Sequence, residues 1–189
     1  MRVAVISPHL NDAVFSVAEH MLSRPDWEFT IVCPFGGQPL DEPHRSKYLI
    51  LHDEHQRVCE FAGWDFTNGP YLDDAARGGL IGDEVDDWLD ETLGMADFGD
   101  IWWPFGIHHP DHVECAPYGA GRKVQTMYEE LPYRVLYPWY VALDRTHTLQ
   151  GYDPSNLNKK RELCRMYASQ VDDQLERTLY APERLWVAR

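Results

Sequence analysis

Basic side chains are scarce in this chain of 189 residues. Lys and Arg number 17 against 31 Asp and Glu, so the formal net charge is −14 and the isoelectric point is near 4.9. Proteins that bind nucleic acid need clustered Lys and Arg against the phosphates, and an acidic surface also repels anionic lipid. The composition therefore argues against nucleic acid and against a membrane as partners.

Long apolar runs and closely spaced cysteines are also missing. The apolar start of the chain breaks at Ser7-Pro8-His9, which makes it shorter than the roughly 7–15 apolar residues of a secretory signal. No stretch approaches the roughly 18 apolar residues of a membrane span. The cysteines form no Cys-x-x-Cys pair; they are Cys33, Cys59, Cys115 and Cys164. Without an export signal, these features predict a cytoplasmic protein whose thiols are reduced and mostly buried.

What the chain does contain is an alternation of short apolar runs with helical periodicity, which is typical of α/β proteins. Strands are predicted at Val3–Ile6, Glu28–Cys33, Ile101–Trp103 and Tyr133–Tyr137. Helices are predicted over Val14–Leu22, from Pro43 to Gly63, over Val85–Leu93, from about His112 to Glu130, and over Lys159–Gln170. The hydrophobic content of 44% and a length that suits roughly 100–200 residues per domain predict one domain, residues 1–189.

An acid-rich segment and two aromatic pairs each allow more than one interpretation. Residues 73–100 contain ten Asp or Glu and a single base, Arg77. A helical stripe of apolar residues within them predicts that the acids form a solvated helix face. The pairs Trp102-Trp103 and Trp139-Tyr140 either belong to the core or line a site where a sugar ring stacks.

Histidines crowd two loops that each follow a predicted strand and precede a predicted helix. His9 lies in the first loop, Ser7-Pro8-His9-Leu10-Asn11-Asp12, and three more lie in the second, Gly106-Ile107-His108-His109-Pro110-Asp111-His112. In open α/β sheets, ligands bind outside the carboxyl ends of the strands. If the two strands are neighbours, the two loops face each other across that crevice.

His9, Asp12 and His112 together offer two imidazoles and one carboxylate, a set that suits zinc with positions left open for water and substrate. Zinc lowers the pKa of a bound water to near 7, which makes the water a usable nucleophile. Hydrolysis of an amide or ester also needs a general base and a donor to the developing oxyanion. His109 is a candidate for that donor, and Asp111 is a candidate for orienting His109.

Other interpretations of the same residues remain open. Asp12 also suits a helix N-cap, and His9 also suits a hydrogen-bonded loop histidine without a ligand. Two His and one carboxylate form the facial triad of non-haem iron oxygenases too, although those triads usually lie on β-barrels. A structural or interaction protein without metal is the remaining alternative, and metal analysis distinguishes it.

The two loops make the chain resemble the LmbE/PIG-L family of zinc-dependent N-deacetylases. Members carry a Ser-Pro-His-Leu-Asp-Asp-Ala loop after the first strand and a His-Pro-Asp-His loop later. This chain has Ser7-Pro8-His9-Leu10-Asn11-Asp12-Ala13 and His109-Pro110-Asp111-His112. Looser matches spread the similarity over nearly the whole chain; they are Phe35-Gly36-Gly37, Glu129-Glu130-Leu131-Pro132-Tyr133 and Tyr167-Ala168-Ser169-Gln170.

The resemblance implies a Rossmann-like fold, with a mostly parallel sheet flanked by helices. It implies hydrolysis of an N-acetyl or other N-acyl amide on an amino sugar or a sugar-bearing metabolite, which makes a small molecule the expected partner. It also implies that His9, Asp12 and His112 bind Zn²⁺, that His109 stabilises the oxyanion, and that Asp111 supports His109.

Asn11 departs from the family pattern, in which the first Asp of the Asp-Asp pair is the general base. An amide cannot take a proton from water near neutral pH, although its shape is compatible with the same fold, metal and substrate binding. Three explanations are open: a deliberate substitution that traps substrate, a natural member that binds a sugar or metabolite without hydrolysing it, or another carboxylate, such as Asp111, that acts as base at a reduced rate.

Overall fold

A seven-stranded sheet runs through the part of the chain that the structure, a computed structural model, describes: residues 1–117, 126–138, 147–151 and 154–189. Its strands are β1 (Arg2–Ile6), β2 (Glu28–Cys33), β3 (Asp65–Asn68), β4 (Asp100–Pro104), β5 (Thr126–Tyr128), β6 (His147–Leu149) and β7 (Leu185–Ala188). They lie in the order β3-β2-β1-β4-β5-β7-β6. The first five strands are parallel, and β7 is antiparallel to both of its neighbours.

Helices connect these strands and cover the sheet. Those in the described residues are α1 (Asp12–Leu22), α2 (His44–Ala62), α3 (Asp74–Arg77), α4 (Asp83–Gly94), α5 (Pro110–Cys115), α6 (Tyr133–Leu136), α7 (Leu157–Arg165) and α8 (Asp173–Leu179). The predicted α/β fold, a mostly parallel sheet flanked by helices, is therefore confirmed. Strand β2 and helix α2 also have the predicted bounds, and α2 ends where Gly63 takes a left-handed conformation with φ 72°.

Alternate side chains of the buried strands point into two different hydrophobic cores. Val5 of β1 packs in the core that α1, α2 and α7 cover, whereas its neighbour Ile6 packs in the core that includes α4. Trp102 and Trp103 divide between the two cores in the same way and are only 1% and 3% exposed. The core interpretation is thus correct for this pair, and the pair Trp139-Tyr140 lies outside the described residues.

The predicted helix from His112 to Glu130 is wrong at Ala116 and over Thr126–Tyr128, while residues 118–125 of it lie outside the described residues. Helix α5 ends at Cys115, and Ala116 adopts an extended conformation with ψ 137°. The cause is Pro117, because a proline disfavours helical backbone in the residue before it. Strand β5, which falls within the predicted helix, instead pairs with β4.

The predicted strand at Tyr133–Tyr137 is also wrong, because β5 takes the position beside β4. The single helical turn α6 follows Pro132 there. The predicted helix over Lys159–Gln170 corresponds to α7 but ends earlier. The last residues of the predicted helix lie beside α2 instead. There the buried Glu54 carboxylate accepts hydrogen bonds from the backbone N (2.8 Å) and the hydroxyl (2.6 Å) of Ser169.

Buried thiols and solvated acids agree with the sequence predictions. All four cysteines are buried and free. On α4, Val85 and Leu89 are buried whereas Asp87 and Glu91 are exposed, which confirms the solvated acidic face. Among the described residues no helix is both long enough and apolar enough to cross a bilayer.

The strand order reverses at β1, and this reversal brings the two histidine loops together. From β1 the sheet extends through β2 to β3 on one side, and the chain then returns to add β4 on the other side of β1. The carboxyl ends of β1 and β4 therefore flank a topological switch point, where open α/β sheets bind their ligands. His9 lies in the loop after β1, and His112 lies in the first turns of α5, directly after the loop that follows β4.

Candidate metal centre

The loop after β1 is fixed by the side chain of Ser7. Its hydroxyl donates to the His9 carbonyl (2.5 Å) and accepts from Ala13 N (2.9 Å). Asn11 occupies the N-cap position of α1 without a capping bond from its side chain, and Asp12 begins the helix. The Asp12 carboxylate instead accepts a hydrogen bond from His9 N (2.8 Å). The N-cap interpretation of Asp12 is therefore wrong.

One buried carboxylate holds the loop after β4. Glu130 accepts hydrogen bonds from the backbone N atoms of Phe105, Gly106 and Ile107 at 3.1, 2.7 and 3.0 Å. Gly106 has a left-handed φ of 79°, and a Cβ there would lie 2.8 Å from the Cβ of Ala116. The packing of this loop against α5 thus requires glycine, and Glu130 fixes the path of the chain into α5.

His9, Asp12 and His112 meet at one point in the crevice. Asp12 Oδ2 lies 3.0 Å from His9 Nδ1 and 3.1 Å from His112 Nε2. Asp12 and His112 are buried, and His9 is partly buried. The His112 Nε2 atom is fully buried and, apart from the Asp12 carboxylate, has no polar partner among the described residues. The three atoms, His9 Nδ1, Asp12 Oδ2 and His112 Nε2, are close enough together to bind a single divalent cation.

Each histidine of this cluster presents its other ring nitrogen to a second carboxylate. His9 Nε2 lies 2.8 Å from Asp111 Oδ2, and His112 Nδ1 lies 3.3 Å from Glu130 Oε1. Carboxylates in this position fix the tautomer and the ring orientation of metal-binding histidines. Glu130 is not among the predicted site residues, although it lies in one of the looser family matches, Glu129-Glu130-Leu131-Pro132-Tyr133.

Asp111 contacts His9 rather than His109, the residue that it is expected to orient. Its Oδ2 is 3.9 Å from His109 Nδ1, which instead accepts a hydrogen bond from Asp111 N (3.2 Å) at the N-cap of α5. Both Asp111 oxygens have other partners, because Oδ2 also accepts from Asp74 N (2.9 Å) and Oδ1 accepts from Arg77 Nη2 (2.6 Å). Neither oxygen is left to act as the alternative general base.

Arg77 is a further site residue that the sequence predictions lack. Its guanidinium carbon lies 4.6 Å from the ring centroid of Phe35, and Nη2 lies 3.4 Å from Glu114 Oε2 as well as 2.6 Å from Asp111 Oδ1. The signal in the sequence is that Arg77 is the single base of the acid-rich segment 73–100. Arg77 thus joins the acid-rich segment to Asp111, the carboxylate that is bonded to His9.

A second set of atoms, from His9, His109 and Asp111, is also close enough to share a cation. The Arg77 guanidinium already neutralises Asp111 and would repel a second cation there. The set formed by His9, Asp12 and His112 is therefore the better metal site, and we call it the metal cluster.

Burial and ion pairing set the charges in the metal cluster. Burial would raise the pKa of Asp12, but His112 and His9 hold it well below its ordinary value, so Asp12 is an anion. Burial would lower the pKa of His9, but Asp12 and Asp111 raise it to about 10. The pKa of His112 is likewise raised by Asp12 and Glu130 against the effect of burial. The carboxylates of Asp12, Asp111 and Glu130 therefore favour positive charge at this point, and either protonated imidazoles or a bound cation can supply it.

A cavity of about 450 Å³ opens beside the metal cluster. Of the predicted site residues, His9, Asn11, Asp12 and His109 line it, and Tyr133 joins them. Burial and the neighbouring histidines lower the pKa of His109, which keeps its imidazole neutral at physiological pH. Apolar side chains of the same wall include Leu10, Phe15, Leu51 and Leu175.

Over its whole length the fold is similar to that of solved deacetylases. A triple mutant of Orf2, a deacetylase of the teicoplanin biosynthetic pathway, has a TM-score of 0.78 and 22% identity over 100% of this chain and 98% of its own. N,N'-diacetylchitobiose deacetylase from Pyrococcus horikoshii has a TM-score of 0.66 and 17% identity over 92% of this chain and 72% of its own. The chain therefore has the fold of the LmbE/PIG-L deacetylases, which its two loops resemble.

Related structures also differ in chemistry. One structure of the teicoplanin deacetylase is described as its zinc-inhibited form. GalB, the 4-carboxy-2-hydroxymuconate hydratase from Pseudomonas putida, has a TM-score of 0.66 and 16% identity over 94% of this chain and 82% of its own. No protein-family model and no curated protein matches the sequence. Because one fold serves different reactions, the reaction has to be argued from the residues of the site.

Proposed function

We propose that this chain is a metal-dependent N-deacylase that removes an acetyl or other acyl group from the nitrogen of an amino sugar or a sugar-bearing small molecule. The observation that carries the proposal is the convergence of His9 Nδ1, Asp12 Oδ2 and His112 Nε2 beside a cavity. The similarity to a deacetylase of teicoplanin biosynthesis, solved in complex with teicoplanin, and to N,N'-diacetylchitobiose deacetylase supports the same reaction class.

In this proposal His9, Asp12 and His112 hold one zinc ion, and Asp111 and Glu130 orient the two imidazoles. When bound, zinc polarises the acyl carbonyl and lowers the pKa of water. His109 lines the cavity as a neutral imidazole and donates a hydrogen bond to the developing oxyanion.

The cavity suits a substrate with a polar ring and an apolar substituent. Its volume of about 450 Å³ is within the usual range for small-molecule sites. Polar groups converge at the metal cluster, while Phe15, Leu51 and Leu175 offer apolar contacts to an acyl chain or an aglycone.

Asn11 favours one second candidate, a sugar or metabolite binder that keeps the metal cluster without hydrolysis. Asn11 lines the cavity next to His9 and Asp12 but offers an amide that cannot accept a proton from water. A binder of this kind holds an N-acyl compound tightly and releases no acid.

Metal analysis and acetate release test the two candidates together. We expect about one zinc per chain, and we expect Asn11→Asp to raise acetate release from N-acetylglucosamine and N,N'-diacetylchitobiose above that of the Asn11 protein. Asn11→Ser, which carries no carboxylate, is the matched control and should give no rise. Zinc binding without acetate release from any variant would favour the binder, and absence of zinc after gentle purification would contradict both.

A further inference from the structure

The carboxylates nearest the metal cluster are already occupied. Asp111 is bonded to His9, Asp74 N and Arg77, and the buried Glu130 is bonded to three backbone N atoms and lies beside His112. A general base has to reach the attacking water from the cavity. Its carboxylate must therefore belong to a residue that lines the cavity.

Two carboxylates line the cavity within the described residues, those of Asp12 and Asp73. Asp12 lies between the two imidazoles of the metal cluster, so its Oδ2 is committed there. Asp73 reaches the cavity from a different element than Asn11, because it precedes α3 whereas Asn11 precedes α1. It is exposed, and its Oδ1 accepts a hydrogen bond from Ala76 N (2.9 Å) as the N-cap of α3.

The structure anchors α3, which Asp73 caps, to Asp111, the carboxylate bonded to His9 Nε2. The next residue, Asp74, donates its backbone N to Asp111 Oδ2 (2.9 Å), and that oxygen lies 2.8 Å from His9 Nε2. At the other end of α3, Arg77 is paired with Asp111 Oδ1 (2.6 Å). Two bonds to a single carboxylate thus hold α3, with Asp73 at its start, against the site. The cap uses Oδ1 of Asp73, whereas Oδ2 has no hydrogen-bond partner among the described residues and belongs to a side chain that lines the cavity.

We propose that Asp73 is the catalytic base of this chain and replaces the carboxylate that position 11 lacks. This inference rests on the N-deacylase function proposed above. Asp73 Oδ2 takes a proton from the attacking water while the water oxygen forms a bond to the acyl carbon and the carbonyl electron pair moves to its oxygen. Asp73 then gives that proton to the amide nitrogen as the C–N bond breaks. The products are a carboxylic acid and a free amine.

A double-mutant cycle between positions 73 and 11 tests this assignment. Asp73→Asn removes the carboxylate but keeps the cap, because Asn caps helices as well as Asp does. In the Asn11 protein we expect Asp73→Asn to lower kcat for acetate release from N,N'-diacetylchitobiose by about 10²–10⁴-fold with KM little changed. In the Asn11→Asp background the same substitution should change kcat only a few-fold, because Asp at position 11 then supplies the base.

The matched control is Asp172→Asn, which removes a carboxylate from another helix cap, at the start of α8, where Asp172 accepts from Leu175 N (2.7 Å). It should leave kcat unchanged in both backgrounds. Zinc content, measured by atomic emission, should be equal in all variants, which separates loss of the base from loss of the metal.

Three outcomes overturn the assignment of Asp73. They are an equal loss of kcat in both backgrounds, no loss in the Asn11 protein, and an inactive Asn11 protein whose Asn11→Asp variant is active. If no variant releases acetate, Asn11→Asp included, the proposed N-deacylase function fails, and the assignment of Asp73 fails with it.

Discussion

Two clusters of buried charge lie towards opposite ends of helix α1. Asp12 of the metal cluster is the first residue of α1. The second cluster lies towards the last turn of α1, and we call it the Lys160 cluster; it consists of Glu19, His20, Lys160 and Glu183. Lys160 Nζ lies 2.8 Å from Glu183 Oε1 and 3.8 Å from Glu19 Oε1. Both clusters contain ionisable groups that are almost completely buried, Asp12 and His112 in one and Lys160 and Glu183 in the other, so burial of charge alone does not identify a functional site.

The clusters differ in what neutralises their carboxylates. In the Lys160 cluster a lysine of the chain pairs with Glu183, which also accepts hydrogen bonds from the backbone N atoms of Glu19 (3.0 Å) and His20 (3.1 Å). None of these residues lines the cavity. In the metal cluster, Asp12 is faced by two imidazoles instead, and imidazoles exchange protons for metal ions. A functional site is therefore distinguished from a structural ion pair by an exchangeable partner and by access to a cavity.

The largest expected effect comes from removing a ligand of the metal cluster. His112→Ala should abolish zinc binding and acetate release, because Nε2 of this buried imidazole faces Asp12 and is one of the three ligand atoms of the metal cluster. Zinc content by atomic emission is the measurement. His20→Gln, which removes a buried histidine of the Lys160 cluster, is the control and should retain one zinc per chain. Equal loss of zinc from both variants would contradict the distinction between the clusters.

The next effect is on stability and belongs to the Lys160 cluster. Lys160→Met leaves the buried Glu183 without its cation, and breaking such a pair costs about 3–5 kcal/mol in the free energy of unfolding. The measurement is urea unfolding at pH 8, with zinc content expected to stay unchanged.

The cost of Lys160→Met should be smaller at pH 5. Burial raises the pKa of Glu183 to about 7 against the opposing effect of Lys160, so the folded state holds this proton more tightly than the unfolded chain does. The stability from Glu183 is therefore full below the ordinary carboxyl pKa and is lost as the pH rises through 7. At pH 5 the group is neutral with or without Lys160. A cost that is independent of pH would show that packing, not charge, dominates.

The sequence allowed prediction of those parts that depend on local signals. Strand β2 is a compact β-prone run, and α2 ends at a glycine, so their bounds follow from neighbouring residues. The proximity of His9 and His112 was predictable because each follows a predicted strand. The carboxyl ends of parallel strands lie at one edge of a sheet, which brings the segments after them together. Local rules were enough wherever one residue and its neighbours decide the conformation.

Features that depend on distant residues were not predictable in the same way. Tyr133–Tyr137 has the composition of a strand, yet β5 fills the place beside β4, and sheet order is a property of the whole fold. Arg77 contacts Asp111, which is 34 residues away along the chain. Glu130 contacts His112, which is 18 residues away. The contact of the Asp111 carboxylate with His9, rather than with the neighbouring His109, also depends on a residue that is distant in the sequence.

The smallest of the three effects concerns a carboxylate that orients a ligand. Glu130→Gln should weaken zinc binding by roughly 10–100-fold, because Glu130 Oε1 holds Nδ1 of His112 (3.3 Å) and thereby fixes the imidazole that faces Asp12. Competition with a chromophoric chelator measures this affinity. The adjacent Glu129 provides a matched control, since it is equally buried but pairs with Arg134 and Trp186 instead.

Glu129→Gln should leave the zinc affinity within about twofold, because its partners lie outside the metal cluster. If both substitutions weaken zinc binding equally, the effect comes from distortion of the backbone after β5 rather than from the His112 bond. If Glu130→Gln weakens zinc binding alone, the carboxylate acts through the imidazole. In that case Glu130 and Glu183 would illustrate the contrast between the two ends of α1: one buried glutamate orients a metal ligand, and the other neutralises a lysine.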